Sequence, residues 1–384
     1  WTPSSPPGDP RFDGANRGLL RWYNPYDRFL RTDIWPGQQD QVEAANNRTD
    51  VLTLEVHAGD EIETWGGVMT VFTGGVRDFS QSKFLDLWLR GTEGELHLDL
   101  GDISEDWILN SRIDTEDEPL PGRASGDGQV SADEDVGIDG RDDTEELKFY
   151  LAEVDGDTTQ SEAAMQDQLR LLDPDRDPGD PQGDNWNYDP TRNRDDYRRI
   201  NGTQGNLKGG EGGLRPDSED LNNDGNLNSR NDYYHYTIDL ARDPYEPGTC
   251  SEAEVAGECQ QWRLYRIPLY NDDVERIGSP DSSRIEFARL MMVTDQAKGD
   301  SALVQIAQIE IIGNEWQEND IVALEDAGIV TDDEVFNVTV IGTDENQSYR
   351  PPPGVSVRRL ANSRVREREQ SLVLDVENLD AGHQ

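Results

Sequence analysis

The stretch KFLDLWLRGTEGELHLDLGDISED, residues 83–106, decides how we expect this chain to fold. Apolar and polar residues alternate from Glu95 to Leu100, and a period of two is typical of a strand with one buried face. An apolar run at 84–89 precedes this strand, and residues 90–94 offer the glycines of a turn. The sequence therefore predicts two neighbouring antiparallel strands, whose apolar face must be covered by another part of the chain.

Further strand patterns occur both upstream and far downstream of this stretch. They lie at residues 51–56, 65–72, 233–240, 262–269, 284–293 and 303–312. Turn-rich loops separate them, as expected of a β-sandwich. We therefore predict a mainly β protein in which two distant halves close as one jelly-roll, galactose-binding-like sandwich. The core that they share is expected to contain Leu96, Leu98, Leu100, Ile306 and Ile309.

A polar segment at about 116–216 separates these halves. It is dominated by Asp, Gly, Pro, Asn and Arg, and only 142–153 and 160–172 show helical spacing. A segment of this kind is unusual inside a compact domain, so we interpret it as an insertion. The predicted organisation is an irregular N-terminal segment at 1–48, a first half-sandwich at 49–113, an acidic loop-rich insertion with a short helix and a calcium-like loop at 114–232, a second half-sandwich at 233–316, a linker at 317–334 and the start of a further β domain at 335–384.

The charge balance of the 384-residue chain is extreme. Asp and Glu number 80 against 35 Lys and Arg, which gives a formal net charge of −45. Such a surface repels nucleic acid and anionic lipid, because both are bound through Lys and Arg. The acidic residues are spread along the whole chain, so we expect adaptation to high salt or to divalent cations.

One loop carries the spacing of a calcium site. Oxygen-bearing side chains occupy relative positions one, three, five and nine of 220–228, with Gly225 at position six, where a sharp turn is needed. Position twelve is Asn231 instead of the usual Glu, and Asp232 follows it. The alternative is an Asx-rich turn that stabilises itself. The predicted Ca²⁺ ligands are Asp220, Asn222, Asp224, Asn226, Asn228 and Asp232.

The two cysteines, Cys250 and Cys259, lie in a polar loop without a CxxC pair. This spacing argues against a zinc site. We predict a loop disulfide between them, which would imply an extracytoplasmic location, and two free thiols are the alternative.

Catalytic motifs do not stand out in the sequence. It contains neither a GxSxG elbow, a Walker loop nor HExxH, and no pair among the many carboxylates is distinctive. Three of the four histidines, His57, His97 and His235, lie in or beside strand patterns, where surface or hydrogen-bonded structural roles are commoner. We therefore predict a protein that is not an enzyme.

The sequence has no apolar run of about 18 residues, so we expect no transmembrane helix in this chain. It starts at Trp1 without a signal peptide, and we expect a processed piece or a fragment of a longer protein.

Several segments together resemble one family, the SprA/Sov proteins of the type IX secretion system. The segments, in the family's order, are WGGVM at 65–69, LDLGDISED at 98–106, DVGIDG at 135–140, NGTQGN at 201–206, EDLNND at 219–224 continuing to Tyr233 and Tyr234, PPGV at 352–355 and EQSL at 369–372. Each segment alone is weak, but their collinearity over nearly the whole chain is specific.

The resemblance implies a giant outer-membrane translocon that exports folded cargo and is linked to gliding motility. This chain would be a middle, soluble portion of it in the cell envelope, on the cell surface or the periplasmic face. Its expected role is a non-catalytic scaffold of the pore that contacts secreted cargo and other translocon subunits. The alternative is a carbohydrate-binding β-sandwich module of a cell-surface protein, since fold alone does not separate the two.

Overall fold

The structure, a computed structural model, gives the placement of most of the sandwich and of parts of the insertion. The described residues are 2–3, 17–35, 47–57, 64–91, 94–107, 109–116, 128, 138, 141–153, 156–174, 176–181, 183, 188–198, 216–240, 254–255, 258–259, 262–271, 274–294, 301–312, 335–342 and 370–377. The predicted linker at 317–334 lies outside them.

Seventeen strands and three helices make up the described part of the chain. The strands are β1 (Thr2–Pro3), β2 (Leu19–Tyr23), β3 (Phe29–Leu30), β4 (Arg48–Thr49), β5 (Leu52–His57), β6 (Thr64–Val71), β7 (Phe84–Gly91), β8 (Glu95–Asp102), β9 (Asp232–Asp239), β10 (Glu254–Val255), β11 (Glu258–Cys259), β12 (Arg263–Pro268), β13 (Glu275–Ile277), β14 (Phe287–Thr294), β15 (Ser301–Ile312), β16 (Val335–Gly342) and β17 (Gln370–Glu377). The helices are α1 (Arg31–Ile34), α2 (Asp143–Glu153) and α3 (Glu162–Leu172). None of these helices is long and apolar enough to cross a membrane.

Two antiparallel sheets form a β-sandwich, which confirms the mainly β prediction. One sheet has the strand order β1-β6-β14-β8-β9-β13 and the other has the order β12-β7-β15-β5-β2. Strand β14 from the second half lies between β6 and β8 of the first half, and β15 lies between β7 and β5. Each sheet is therefore completed only when both halves of the chain are present.

The predicted hairpin at residues 84–100 is wrong. Strands β7 and β8 follow one another in sequence but belong to opposite sheets, so the chain crosses the sandwich between them. Gly94 makes this corner possible, because its φ of +84° is unfavourable for other residues and a Cβ there would lie 2.7 Å from the Val293 carbonyl oxygen. The turn signal was correct, but it marked a passage to the other sheet.

The core contains residues from both halves. Leu96, Leu98 and Leu100 pack in the same buried cluster as Ile306, as predicted. Ile309 was expected there too, but its residue surface is 37% exposed. Strand β15 pairs with β5 only as far as Ile306, so among the described residues Ile309 has a neighbouring strand on one side only, which leaves it open to solvent.

The strand at Leu19–Tyr23 corrects the prediction of an irregular N-terminal segment. Strand β2 pairs with β5 and forms an edge of the five-stranded sheet. Its Leu20 and Trp22 pack against the sandwich core, so the aromatic residues there belong to an amphipathic strand.

The insertion contributes two helices of its own, at the two places where helical spacing was found. Helices α2 and α3 pack through Leu147, Leu151, Met165 and Leu169, which are all buried. These two helices thus form a small apolar cluster of their own, separate from the sandwich core.

Strands β16 and β17, which were predicted near the C-terminal end, pair with each other as a two-stranded sheet.

Candidate functional site

A cavity of about 540 Å³ lies where the insertion covers the edge strand β2. Leu19 and Arg21 of β2 line it, and they alternate with Leu20 and Trp22, which point toward the core. The opposite wall comes from residues 170–183 and 196–198 of the insertion. The sandwich therefore supplies a rigid floor and the insertion supplies the cover.

The lining of this cavity is rich in guanidinium groups. Its charged residues are Arg21, Arg170, Arg176, Arg198, Asp177, Asp180 and Asp196. In a chain with 35 Lys and Arg against 80 Asp and Glu, four arginines beside three carboxylates in the described lining are a local enrichment of positive charge. The cavity is thus a place where an anion meets less repulsion than over most of this chain.

Three of these arginines are already paired with carboxylates. Arg198 donates two hydrogen bonds of 2.8 Å to Asp196, and this pairing helps to hold the Asp196 pKa at about 2. Arg176 donates to Asp173 at 3.0 Å, and Arg170 donates to Asp167 at 2.8 Å. These ion pairs hold in place the insertion residues that line the cavity opposite β2.

Arg21 differs from the other three. Its Nη1 lies 2.5 Å from Nε2 of His57, and its buried Nε has no hydrogen-bond partner among the described residues. No carboxylate oxygen of the described residues lies within 4.0 Å of its guanidinium group. A hydrogen bond with His57 is the main cause of the lowered pKa of nearby Glu55, and the charge of Arg21 adds to it. Arg21 is therefore a half-buried cation without a direct ion pair in the part of the chain that the structure describes.

Stacked tyrosines attach the insertion beside this cavity. The rings of Tyr23 and Tyr197 are parallel, with centroids 3.9 Å apart, and Tyr188 stacks on the Tyr197 ring at 5.8 Å. The backbone N–H of Tyr26 also donates to the Tyr197 hydroxyl at 2.8 Å. These contacts hold residues 188–198 against β2 and so keep Asp196 and Arg198 in place.

Three carboxylates of the insertion also lie close together. Oxygen atoms of Asp143, Glu146 and Asp180 lie within 4.8 Å of one another, and Glu146 and Asp180 are buried. Oxygen ligands suit hard divalent cations. Sequence reasoning missed this group because Asp180 is far from α2 along the chain.

The loop predicted to bind calcium is a series of Asx turns. The Asp220 carboxylate accepts the backbone N–H groups of Asp224 at 3.0 Å and of Gly225 at 2.8 Å. Asn222 Oδ1 accepts the Asp224 N–H, and Asp224 Oδ1 accepts the Asn226 N–H. The structure thus brings together the first four predicted ligands in one turn.

The other two predicted ligands make different contacts. Asn228 Nδ2 donates to Asp102 at 2.5 Å and to the Ile103 carbonyl at 2.8 Å. Asp232, the first residue of β9, accepts hydrogen bonds from Arg230 at 2.6 Å and from the Ser279 N–H at 2.7 Å. Both therefore serve to hold the loop on the sandwich.

Glu105 is the residue beneath this loop that the sequence analysis missed. Its carboxylate accepts the N–H groups of Leu221 at 2.8 Å and Asn228 at 3.0 Å. Burial raises its pKa to about 7, against the effect of these hydrogen bonds, and the negative charge of Asp220 adds to the rise. The ionised form of Glu105 would thus gain from a cation placed in the loop.

The chain was then compared with known proteins. The family model described as motility related/secretion protein, SprA N-terminal, matches residues 170–384, which is more than half of the chain. The chain belongs to the SprA family. A search of curated proteins found no match.

Membership of the SprA family confirms the resemblance seen in the sequence. It identifies the chain as a secretion- or motility-related component of the cell envelope, and the family is not a known enzyme family. The match begins within α3 and includes β9 to β17, so it takes in the calcium-like loop and the second half of the sandwich.

Two of the four histidines of this SprA-family chain, His97 and His235, are part of a buried polar row. Asp99 accepts a hydrogen bond from His235 Nδ1 at 2.6 Å and binds Arg289 through Nε at 2.7 Å, and His97 contacts His235 at 3.0 Å. Burial opposes ionisation of Asp99, but the charge of Arg289 and the His235 hydrogen bond together lower its pKa. The row holds β8, β9 and β14 together across one sheet face.

The predicted disulfide lies largely outside the described residues. Cys250 is not among them, and Cys259 is described only as a backbone position in β11. The pairing of these two cysteines stays a prediction.

Proposed function

We propose that this chain is a non-catalytic structural and interaction region of a type IX secretion translocon at the outer membrane, where it scaffolds the pore and contacts cargo or other subunits. The observation that carries the proposal is the family match, which spans the second half of a sandwich whose central strands lie between strands of the first half. Interleaved strands of this kind favour a rigid support. We also propose that the sandwich is a jelly roll, and the passage of the chain from β7 in one sheet to β8 in the other supports this.

The insertion is attached firmly enough to present a defined surface. Glu219 accepts the backbone N–H of Trp107 at 2.7 Å through one carboxylate oxygen and that of Asp114 at 3.0 Å through the other. These bonds join the far end of the insertion to its start. Leu171 at the end of α3 projects from the insertion and is 82% exposed, and we propose that a partner contacts the insertion there.

Photo-crosslinking in the full-length translocon tests this role. A photoreactive residue at position 171 should capture secreted cargo or another subunit, whereas the same residue at Val76, an exposed position between β6 and β7, should capture much less. Equal labelling from both positions, or failure of the chain to purify with a large barrel protein, would contradict the proposal.

Calcium binding by the loop at 220–228 is a separate proposal. The clustered oxygens of Asp220, Asn222 and Asp224 support it, and so does the carboxylate of Glu105 beneath them. The double substitution Asp220→Ala and Asp224→Ala should lower the melting temperature more with calcium than with a chelator, because only the loss of the Asx hydrogen bonds is common to both conditions. An equal loss with calcium and with a chelator would support the self-stabilised Asx turn instead.

A further inference from the structure

The cavity over β2 combines three kinds of lining that together select a ligand. Arg21 offers a cation without an ion-pair partner among the described residues, with one buried N–H aimed at no acceptor. The guanidinium group of Arg21 should bind a carboxylate of a ligand more strongly than a neutral group, because guanidinium and carboxylate match in charge and in hydrogen-bond geometry. The first requirement on the ligand is therefore one carboxylate group.

The carboxylates in the lining set a second requirement. Asp177, Asp180 and Asp196 line the same cavity, and a carboxylate only accepts hydrogen bonds when it is ionised. A ligand made only of negative charge, such as a phosphate, would be repelled by these groups. The ligand must therefore also carry hydrogen-bond donors, such as hydroxyl groups.

Size and apolar surface set a third requirement. A volume of about 540 Å³ lies within the range of roughly 300–1,000 Å³ that small-molecule sites occupy. Leu19, Pro174, Pro178 and Pro181 supply apolar contacts around the charged groups. A compact body with C–H faces fits such walls better than a fully hydrated ion.

We propose that this cavity binds a uronic acid, a sugar that carries one carboxylate and several hydroxyl groups, with Arg21 as the residue that receives the carboxylate. Arg170 and Arg198 each retain N–H groups beyond those bound to Asp167 and Asp196, and these can serve the ring oxygens. The inference does not depend on the secretion role, because it rests only on the lining of the cavity.

Isothermal titration calorimetry of the intact chain tests the site, with D-galacturonate, neutral D-galactose and L-glutamate as probes. The wild type should bind galacturonate at least about 10-fold more tightly than galactose, since the neutral sugar lacks the group that Arg21 binds. Galacturonate should also bind more tightly than glutamate: the glutamate ammonium can bind the aspartates, but its second carboxylate is repelled by them, and it has no ring to contact Leu19 and the prolines. No galacturonate binding, or equal binding of galactose or glutamate, would overturn the proposal.

Two variants locate the interaction at Arg21. Arg21→Gln should weaken galacturonate binding roughly 10- to 100-fold, and Arg21→Lys, which keeps the charge but not the fork of donors, should weaken it less. Arg28→Gln is the matched control, because Arg28 pairs with Asp50 and does not line the cavity. Unchanged binding in a folded Arg21→Gln variant would refute the assignment, and the probe comparison in the wild type stands even if that variant fails to fold.

Discussion

Removing the charge of Asp99 is expected to destabilise the sandwich strongly. Asp99 and Arg289 are both fully buried, 0% exposed, and two nitrogens of the guanidinium lie 2.7 and 2.6 Å from one carboxylate oxygen. Asp99→Asn keeps the shape but leaves the arginine as a buried charge without its counterion. Breaking one side of such a pair costs about 3–5 kcal/mol, a large part of the roughly 5–15 kcal/mol that stabilises a typical domain.

Urea unfolding followed by far-UV circular dichroism measures this loss, and two comparisons test its cause. Asp86→Asn removes a carboxylate with a similar two-bond arginine contact to Arg266, but that arginine side chain is 31% exposed, so we expect about 1–2 kcal/mol. The double variant Asp99→Asn with Arg289→Met should recover part of the loss, because no unpaired charge remains. A cost below about 1 kcal/mol for Asp99→Asn, or no recovery in the double variant, would refute the reasoning.

Three further changes test other parts of the structure. Burial raises the pKa of Glu105 to about 7, above its usual 4.5. The free energy of unfolding should therefore be highest below pH 4.5, where Glu105 is protonated in both states, and should fall as the pH rises from about 4.5 to 7. Glu105→Gln should remove this fall when urea unfolding is measured across the same pH range. Gly94→Ala should lower the free energy of unfolding, measured in thermal melts, by about 1–3 kcal/mol more than Gly75→Ala does. Both glycines have positive φ, but only Gly94 lacks room for a Cβ. Equal losses of stability would mean that backbone strain alone matters. Leu169→Ala should destabilise the helix pair by about 2–5 kcal/mol and speed its proteolysis, whereas Leu172→Ala, at a position 41% exposed, should have little effect.

Much of the fold could be predicted because burial on one face leaves a period of two in the sequence. The strands from Thr64 to Val71 and from Ser301 to Ile312 match the predicted segments to within two residues. The prediction failed for the connections between strands. A glycine-containing turn before Glu95 looks the same whether the next strand returns beside β7 or crosses to the other sheet, because that choice depends on partners such as β14, far away in sequence.

The candidate site was largely hidden from sequence reasoning for a related reason. The cavity joins Arg21 to Arg170 and Arg198, which lie on three separate segments and carry no mutual spacing. Among 80 acidic residues, Glu105 had no local feature that marked it as buried. The calcium-like loop could be found because five of its six predicted ligands follow one another within nine residues, although the contacts of Asn228 to the end of β8 could not be predicted.

The position of β14 between β6 and β8 has a consequence for synthesis of the protein. Strands β5 to β8 leave the ribosome with their apolar faces open. The six-stranded sheet cannot close until the segment ending at Thr294 has appeared, and the five-stranded sheet cannot close until the segment ending at Ile312 has followed. At about 5–20 residues per second, the roughly 190 residues after Asp102 delay closure by about 10–40 s. During that interval the nascent chain exposes unpaired strand edges, and we expect it to need a chaperone while it waits for its later half.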